Sequence, residues 1–372
     1  MRVIIAAAGT GGHITPGIAI ANTIKKKEKD SEIIFVGTDR GLENDLVPRA
    51  GYELKKIHAY GISREFTLKN IKRMYKTILG IGEAKKIVKE FKPDVVIGTG
   101  GYISGPMGLA AKKYKVPLIL HESNAFPGMT VKLLSKKANL VLVGFEDALK
   151  RLPKAKKVVV TGTPTKVVEM HLTDLQKEKI RQELKLDSTK KTVLVVGGSQ
   201  GAKSINESLL GLIQEKKSRN YQIVWATGHS GYEAVKKQIE ANGNTIDALE
   251  DVRIVPYVYN MSEILNMVDL VIARSGAMTI TEISIVGKPA IFIPFPNAAE
   301  NHQEYNAKVL VNAGAARMIL DKDLTAERLE TEIEEIIQQD GVLQQMGNKA
   351  KTIAKDNVEN RIYQEIKKIV KK

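Results

Sequence analysis

Three glycine-rich loops hold the residues best suited to bind a phosphate-bearing ligand. They are 9–16 (Gly-Thr-Gly-Gly-His-Ile-Thr-Pro), 196–202 and 274–282, and each follows an apolar run and precedes a helical pattern. Glycine lets a backbone approach a ligand closely, and the N–H groups at a helix start favour anions. Ser199 can offer hydroxyl and backbone donors to a phosphate, or the glycines of its loop serve only a tight turn. Glu282 is either a carboxylate for vicinal ribose hydroxyls or only a favourable partner of the helix dipole.

Polar side chains also follow two predicted strands, at the edge where open α/β sheets bind ligands. His13 lies where the first strand becomes a helix, and its imidazole could act as a general base or only cap its own loop. Thr15 is expected to cap that first helix and Pro16 to occupy its first position. The run 121–124 (His-Glu-Ser-Asn) follows a buried strand, and we expect its side chains to lie outside the core.

Short apolar runs alternate with helical patterns, which predicts doubly wound α/β domains with parallel sheets. The predicted strands are 3–8, 33–37, 95–98, 118–121, 140–143 and 158–161, then 193–197, 222–227, 253–256, 270–273, 290–294 and 317–320. The two halves repeat one pattern, because 94–100 resembles 269–276. We therefore expect two similar domains, 1–163 and 164–352, with the C-terminal helix of about 353–372 able to pack back on the first.

Composition narrows the class of protein. With 372 residues, 43% hydrophobic and 27% charged, the chain is not disordered, collagen-like or an integral membrane bundle. The absence of cysteine excludes disulfides and thiol chemistry, and a net charge of +15 favours anionic partners. No signal peptide or membrane span is recognised, so membrane contact is expected to be peripheral. The histidines are scattered and 321–323 (Asp-Lys-Asp) is expected to be a turn and helix cap, so no metal site is predicted.

Taken together, the motifs resemble the MurG family over nearly the whole chain. The resemblance implies a GT-B fold, with two Rossmann-like domains facing a cleft that holds the active site. The motifs that carry the resemblance are 9–13 with 16–17, 100–102 with 104–106, 121–122 with 124, 197–202, 274–277 with 279 and 282, and 303 with 306–307.

The resemblance implies an inverting transfer of N-acetylglucosamine from UDP-N-acetylglucosamine to the C4 hydroxyl of undecaprenyl-diphosphoryl-N-acetylmuramoyl-pentapeptide. This is the last intracellular step of peptidoglycan precursor synthesis, in the service of cell wall, shape and division. The second domain would bind the donor, and Tyr102 and Ser104 would lie on the acceptor side. The implied donor-binding residues are Thr10, Gly11, Gly12, Asn124, Ser199, Val258, Ala277, Met278, Thr279, Glu282 and Gln303.

Two positions depart from the family pattern. Ser123 stands where the family often has glutamine, and Lys166 stands near a position where it often has arginine. Lysine does not reproduce the planar bidentate contact of arginine, so no donor contact is assigned to Lys166.

An inverting transfer needs a base for the acceptor hydroxyl and stabilisation of the leaving UDP. His13 is the first candidate for the base, with His121 and Glu122 as alternatives. Helix N-termini near Ser199 and Gly276 can stabilise a diphosphate with fixed dipoles, so neither metal nor cofactor is expected.

A basic segment, 55–76, is the candidate membrane surface on the cytoplasmic face of the bacterial membrane. It carries seven basic residues and one acid, with apolar residues interleaved. Such a segment can lie on an anionic bilayer, or it can be an ordinary solvated helix with a buried stripe. The residues assigned to the membrane are Phe66, Lys69, Ile71, Lys72, Arg73, Lys76 and Leu79.

Two alternatives remain open. Another enzyme of the same fold, such as a UDP-sugar epimerase or a different lipid glycosyltransferase, would share the donor site. A basic nucleic-acid-binding protein is permitted by the charge, but with 5% aromatics and no recognised motif we expect no nucleic-acid partner. A cell-wall synthesis complex is a further candidate partner.

Overall fold

Two parallel sheets organise the protein, one in each of two structural units. The computed structural model describes residues 1–61, 67–198, 201–215 and 217–370. The first unit comprises Met1–Thr165 with Lys355–Lys372, and the second comprises Lys166–Ala354. The predicted residues Phe66 and Ser199 lie outside the described part of the chain.

The described strands are β1 (Arg2–Ala6), β2 (Glu32–Gly37), β3 (Glu53–Lys56), β4 (Val95–Gly98), β5 (Leu118–Glu122), β6 (Leu140–Val143), β7 (Val158–Val160), β8 (Lys191–Val196), β9 (Tyr221–Ala226), β10 (Val252–Val255), β11 (Leu270–Ala273), β12 (Ala290–Phe292) and β13 (Ala316–Met318). The described α-helices are α1 (Gly11–Lys27), α2 (Glu43–Arg49), α3 (Leu68–Phe91), α4 (Ser104–Lys113), α5 (Met129–Ser135), α6 (Asp174–Glu183), α7 (Lys203–Gln214), α8 (His229–Ala241), α9 (Met261–Met267), α10 (Ala277–Val286), α11 (His302–Asn312), α12 (Ala326–Ile337), α13 (Val342–Ile353) and α14 (Val358–Val370).

Both sheets are doubly wound. The first has the strand order β3-β2-β1-β4-β5-β6-β7 and the second β10-β9-β8-β11-β12-β13, and every pairing is parallel. In the first unit one apolar cluster contains Ile4 and Val96, and a second contains Ile5 and Ile97. Successive residues of a strand point to opposite faces, so helices cover both faces of the sheet, as the apolar strand runs predict.

The twelve predicted strands are all present, with ends within about two residues of those predicted. One strand was missed: β3 is a charged strand at the edge of its sheet, with the sequence Glu-Leu-Lys-Lys. Lys55 and Lys56 therefore belong to a strand, and residues 68–76 of the predicted basic segment belong to helix α3. Charged residues are common on edge strands, where they discourage pairing with other chains.

The predicted start of the first helix was wrong. Helix α1 begins at Gly11, with Thr10 as its N-cap in an extended conformation, so Thr15 and Pro16 lie inside the helix. Gly9 has φ of +96°, a conformation that glycine adopts without strain, and this turn lets the chain enter the helix early. Thr10 makes no side-chain capping hydrogen bond, but its carbonyl accepts from His13 N at 3.1 Å and from Ile14 N at 3.3 Å.

The C-terminal helix α14 packs on α1 in the first unit. Val358, Ile362 and Ile366 are buried in the same apolar cluster as Ile20 and Ile24 of α1. Beside them, the Tyr363 hydroxyl donates to Glu28 Oε1 at 2.8 Å, and Lys367 Nζ lies 2.5 Å from the same oxygen. These hydrogen bonds lower the pKa of Glu28, that from Lys367 most, so the carboxylate stays ionised at neutral pH.

Candidate functional site

Each sheet reverses its strand order at one place, between β1 and β4 in the first unit and between β8 and β11 in the second. Open α/β sheets bind ligands outside the carboxyl ends of the strands at such a switch point. The glycine-rich loops of the sequence lie at these two places, because they follow β1, β4, β8 and β11. The structure thus places the predicted loops where ligands are expected.

His13 is the third residue of α1 and is half-buried at the switch point of the first unit. Its Nδ1 lies 3.3 Å from the carbonyl oxygen of Ala8. A neutral imidazole that donates Nδ1–H to this oxygen carries its lone pair on Nε2, as a general base requires. Burial lowers the pKa of His13, and the hydrogen bond with Ala8 offsets the shift only in part, so the ring is neutral at neutral pH.

The loop after β4 packs directly on the His13 ring. A Cβ at Gly100 would lie 2.7 Å from His13 Cδ2, and one at Gly101 would lie 3.2 Å from Nδ1. Both glycines have positive φ, so a side chain at either position would meet the ring and strain the backbone. Thr99 Oγ1 donates to the His13 carbonyl at 2.7 Å. This loop therefore fixes where the imidazole lies.

Glu43 was not predicted, yet it holds the loop that leads to His13. Its carboxylate is fully buried and accepts hydrogen bonds from Gly9 N at 3.0 Å, Thr38 N at 2.9 Å and Thr38 Oγ1 at 2.7 Å. Burial acts to raise the pKa of Glu43, but the hydrogen bonds from Thr38 and Gly9 outweigh it, and the pKa lies below its ordinary value. No local pattern signals this contact, because Gly9 and Glu43 are 34 residues apart.

His121, Glu122 and Ser123 are buried, contrary to the expectation that their side chains lie outside the core. His121 Nε2 lies 3.4 Å from the Gly162 carbonyl, and burial lowers the pKa of His121 to about 4. The Glu122 carboxylate accepts from the backbone N–H groups of Asn124 and Gly128, both at 2.9 Å. The last residues of β5 are buried because β5 is an internal strand of a sheet whose two faces are both covered by helices. This burial argues against His121 and Glu122 as bases.

The other predicted residues of the first unit have separate environments. Asn124 Nδ2 donates to Glu122 Oε1 at 2.9 Å, so its side chain is tied to that carboxylate. Ser104 is buried and its hydroxyl donates to the Gly100 carbonyl at 2.8 Å, which makes it a support of the loop on His13. Tyr102 is half-buried against the apolar cluster, whereas Thr10 is exposed.

The second unit has a pocket of about 130 Å³ at its switch point. Val258, Thr279 and Glu282, three of the residues that the resemblance assigns to the donor, line it. Thr279 and Glu282 lie three residues apart on α10, so they are on one face of that helix. Helix α10 begins at Ala277 with Gly276 as its N-cap, and its first turn holds no acidic residue. The helix start is therefore suited to an anion.

Arg274 also lines this pocket, and its guanidinium is held in place from several sides. It lies 2.5 Å from Asp321 Oδ1 and donates to Ser204 Oγ at 3.0 Å and to the Ile293 carbonyl at 3.0 Å. Residues Asp321–Asp323 form a single 3₁₀ turn ahead of α12, as predicted, and Asp321 in addition orients Arg274.

Gln303, Ala277 and Met278 do not line the pocket. Gln303 Oε1 accepts from Phe295 N at 2.9 Å, and the Gln303 carbonyl accepts from Ser275 Oγ at 2.8 Å. Gln303 therefore braces two loops of the second unit. Ala277 is buried in the first turn of α10, and Met278 follows it.

An aromatic group at the pocket was not predicted. Tyr257 lines the pocket and stacks on His229, with ring centroids 5.5 Å apart and planes 11° apart. Tyr259 meets Tyr257 edge to face at 5.1 Å. These rings offer a flat surface for a planar ligand group. Tyr257 precedes Val258, so a weak signal existed in the sequence, but the stacking with His229 depends on the fold.

In the described part of the chain, no three His, Cys, Asp or Glu side chains come together as a group that could hold a metal ion.

Two family models match the chain, one within the first structural unit and one mostly within the second. Residues 3–143 match the glycosyltransferase family 28 N-terminal domain, and residues 192–362 match the C-terminal domain of that family. A relative from Caldanaerobacter subterraneus subsp. tengcongensis is 44% identical over 99% of this chain and 100% of its own length. That relative is named UDP-N-acetylglucosamine–N-acetylmuramyl-(pentapeptide) pyrophosphoryl-undecaprenol N-acetylglucosamine transferase. The crystal structure of Acinetobacter baumannii MurG superposes with a TM-score of 0.77 at 30% identity, covering 99% of each chain.

The chain belongs to the MurG family. It is therefore a glycosyltransferase with the GT-B fold, and both expectations of the sequence are confirmed. A UDP-GlcNAc 2-epimerase from Neisseria meningitidis, solved with UDP-GlcNAc bound, also superposes with a TM-score of 0.64, covering 99% of this chain and all of the other. At 16% identity this likeness to an epimerase shows the fold alone.

For this MurG-family chain, the role of Glu43 can be tested without measuring transfer. Glu43→Gln places an amide N–H₂ against one of its N–H donors, and we expect a loss of about 1–3 kcal/mol in the free energy of unfolding. Because the folded pKa of Glu43 is depressed, the stabilisation is present at neutral pH and is lost as the pH falls through the folded pKa.

Urea unfolding and amide hydrogen exchange at residues 7–13 measure both effects. Faster exchange is expected there, and exchange unchanged from the wild type contradicts the role. Glu90→Gln, on the exposed face of α3, is the matched control.

Proposed function

We propose that this enzyme transfers N-acetylglucosamine from UDP-N-acetylglucosamine to a lipid-linked N-acetylmuramoyl-pentapeptide during peptidoglycan synthesis. The observation that carries the proposal is the pocket at the switch point of the second unit, where Val258, Thr279 and Glu282 converge. The relative from Caldanaerobacter is named for this reaction, and its similarity extends over both units. We assign the donor to the second unit and the acceptor to the first.

Each part of the donor has a suitable partner in the pocket. Tyr257 offers an aromatic face and Val258 a backbone for the uracil, while Glu282 offers acceptors for the ribose hydroxyls. The first N–H groups of α10, which have no partner within the helix, would stabilise the negative charge of the diphosphate as UDP leaves. Arg274, oriented by Asp321, adds a cation near the same place.

His13 is the proposed base in the first unit. It takes the proton of the acceptor hydroxyl on Nε2 while the hydroxyl oxygen attacks the anomeric carbon from the side opposite UDP. A single displacement of this kind inverts the anomeric centre. The loops of Gly9 and Gly100 hold the ring, and no step requires a cofactor.

A transfer assay tests the proposal. The enzyme is incubated with UDP-N-acetylglucosamine and a lipid-linked muramoyl-pentapeptide, with and without a chelator. We expect disaccharide product in both cases and no consumption of donor when the acceptor is left out. An enzyme that converts the donor without acceptor would be an epimerase, and the proposal would be abandoned.

Glu282→Gln is expected to weaken UDP binding by about 10–100-fold. The variant keeps the shape of the side chain but loses charge-assisted hydrogen bonds worth about 1.5–3 kcal/mol. Isothermal titration calorimetry with UDP measures the change. Glu327→Gln is the matched control, because Glu327 is exposed on α12 and does not line the pocket. If the two variants bind UDP equally well, Glu282 is only a partner of the helix dipole.

The proposal includes binding to the cytoplasmic face of an anionic membrane through α3. None of the helices in the described residues is both long and apolar enough to cross a bilayer. In the first half of α3, Met74, Tyr75, Ile78 and Leu79 are about half exposed, and the four-residue steps from Met74 to Ile78 and from Tyr75 to Leu79 place them on one face. The first turn of α3 holds no acidic residue, Lys72 is exposed, and Arg73 is half-buried. Apolar side chains flanked by cations are typical of a peripheral membrane surface. A peripheral location of the enzyme on this membrane would serve cell-wall assembly, and through it cell shape and division.

A further inference from the structure

A second pocket in the first unit is lined by lysines. It has a volume of about 290 Å³ and lies where β5, β6 and β7 begin, at the opposite edge of the sheet from His13. Five of its ten lining residues are lysines and none is acidic: Lys112, Lys115, Lys136, Lys137 and Lys156.

The wall of this pocket is fixed by the sheet. Asn139 Oδ1 accepts from Leu118 N at 3.0 Å, and Asn139 N donates to the Leu118 carbonyl at 2.8 Å, which locks the starts of β5 and β6 together. A Cβ added at Gly108 would lie only 3.1 Å from Leu134 Cδ1, so α4 packs closely on α5 beside the pocket. The lysines thus extend from rigid elements.

Ordinary structural roles explain only part of this charge. Lys112 lies in the last turn of α4 and Lys136 is the C-cap of α5, where a cation is favourable beside helix carbonyls. Lys115 and Lys137 directly follow the C-caps of α4 and α5, and their N–H groups donate to helix carbonyls at 3.3 and 2.8 Å, so the helix ends favour these cations too. Lys156 precedes β7 and lies at no helix end. In the described residues none of the five lysines forms an ion pair, whereas the adjacent Lys157 pairs with Glu365 at 2.5 Å. Cations gathered without acids repel one another, and an anion in the pocket would remove that repulsion.

The residue types indicate which anion. Arginine, which binds carboxylates with a planar fork, is absent from the lining. Lysine acts as a point charge and is well suited to phosphate oxygens. We propose that this pocket is a binding site for a ligand with two or more phosphate charges, distinct from the nucleotide pocket of the second unit. Such phosphates occur both in soluble metabolites and in lipid headgroups, and the test separates the two sources.

The test compares the wild type with the triple variant Lys115→Gln, Lys137→Gln and Lys156→Gln. Lys112, in the last turn of α4, and Lys136, the C-cap of α5, are kept so that the folded structure is preserved. The control is Lys26→Gln, Lys27→Gln and Lys29→Gln, three exposed lysines of the same unit that do not line the pocket. Both variants lose the same net charge. Inorganic pyrophosphate is titrated by calorimetry into the wild type and both variants, which share an unchanged second unit, so any binding there is common to all three proteins.

We expect the triple variant to bind pyrophosphate roughly 10–100-fold more weakly, since a charge-assisted contact carries about one decade of affinity. The control should match the wild type. Equal affinity of the wild type and the triple variant would overturn the proposal, and so would an equal loss in both variants, which would reflect net charge alone. The comparison does not depend on transferase activity, so it can fail or succeed whatever the fate of the donor proposal.

Sedimentation with phosphatidylcholine vesicles containing phosphatidic acid then identifies the source. If the triple variant pellets less than the wild type and pyrophosphate displaces the wild type, the site binds lipid headgroups. If pelleting is equal while pyrophosphate affinity falls, the ligand is a soluble phosphate. Either result supports the site.

Discussion

Replacing His13 with alanine is expected to lower the turnover of transfer by about 10²–10⁴-fold, the usual contribution of a positioned general base. Of the three candidate bases, His13 is only half-buried whereas His121 and Glu122 are buried, and its ring is fixed by Ala8 and by the glycine loop after β4. UDP affinity should change little, because every residue lining the nucleotide pocket belongs to the second unit. Initial rates at saturating donor, with calorimetry for UDP, separate the two effects.

The pH dependence gives a second measurement on His13. Burial lowers the pKa of His13, so the neutral, proton-accepting ring persists to lower pH than it does for a free histidine. The rate should therefore fall as the pH drops through a value below about 6.5. This acid limb should disappear in His13→Ala, with only a slow residual rate.

The control for His13 is His171→Ala, which removes an exposed histidine of the second unit. It should keep both the rate and the acid limb. If a folded His13→Ala variant turns over at a near-normal rate, another group is the base, and the buried positions of His121 and Glu122 would have to change during the reaction.

The sequence was sufficient for most of the fold because the strands are locally encoded. Runs such as Val95–Gly98 and Leu140–Val143 are apolar and short, and their bounds match the prediction. Glu53–Lys56 was missed because it has one apolar residue in four and draws its strand conformation from pairing with β2. The start of α1 was misplaced because Thr15 and Pro16 match the pattern of a helix N-terminus. The turn at Gly9 instead starts the helix at Gly11, four residues before Thr15.

Part of the candidate site came from the family resemblance, which assigns Val258, Thr279 and Glu282 to the donor. Val258, Thr279 and Glu282 line one pocket because the turns after β10 and β11 meet at the switch point. Glu43 and the pair of Arg274 with Asp321 were not predictable, because these contacts join residues 34 and 47 positions apart. Only the fold shows that Glu43 holds the Gly9 loop and that Asp321 orients Arg274 in the pocket lining.

The basic residues at the start of α3 should account for most of the binding to anionic membranes. The variant Lys69→Gln, Lys72→Gln, Arg73→Gln and Lys76→Gln removes four cations, each worth roughly 1 kcal/mol near an anionic surface. If the four add, partition onto vesicles falls by about 10³-fold. Lys76 Nζ also lies 5.6 Å from the centroid of the Tyr60 ring, which is a cation–π contact within the first unit. Lys76 should therefore contribute less to membrane binding, and the loss of vesicle partition should be somewhat smaller than this sum.

The apolar side chains of the same surface allow charge and insertion to be told apart. Tyr75→Ser with Ile78→Ser removes two exposed apolar groups, 62% and 58% exposed, and leaves the charge unchanged. High salt should reproduce the loss caused by the four glutamines, because surface charges are screened within about 8–10 Å at physiological ionic strength. Salt should have less effect on contacts made by Tyr75 and Ile78.

Vesicle co-sedimentation at low salt decides whether α3 binds the membrane. The control replaces Lys26, Lys27, Lys29 and Lys89 by glutamine, four exposed lysines of the first unit away from the exposed apolar side chains. It should pellet like the wild type, whereas the α3 variant should stay in the supernatant and still bind UDP, since the nucleotide pocket is in the other unit. Equal pelleting of the α3 variant and the wild type would place the membrane surface elsewhere. Equal loss in the control would mean that net charge, rather than this helix, brings the enzyme to its lipid-linked acceptor.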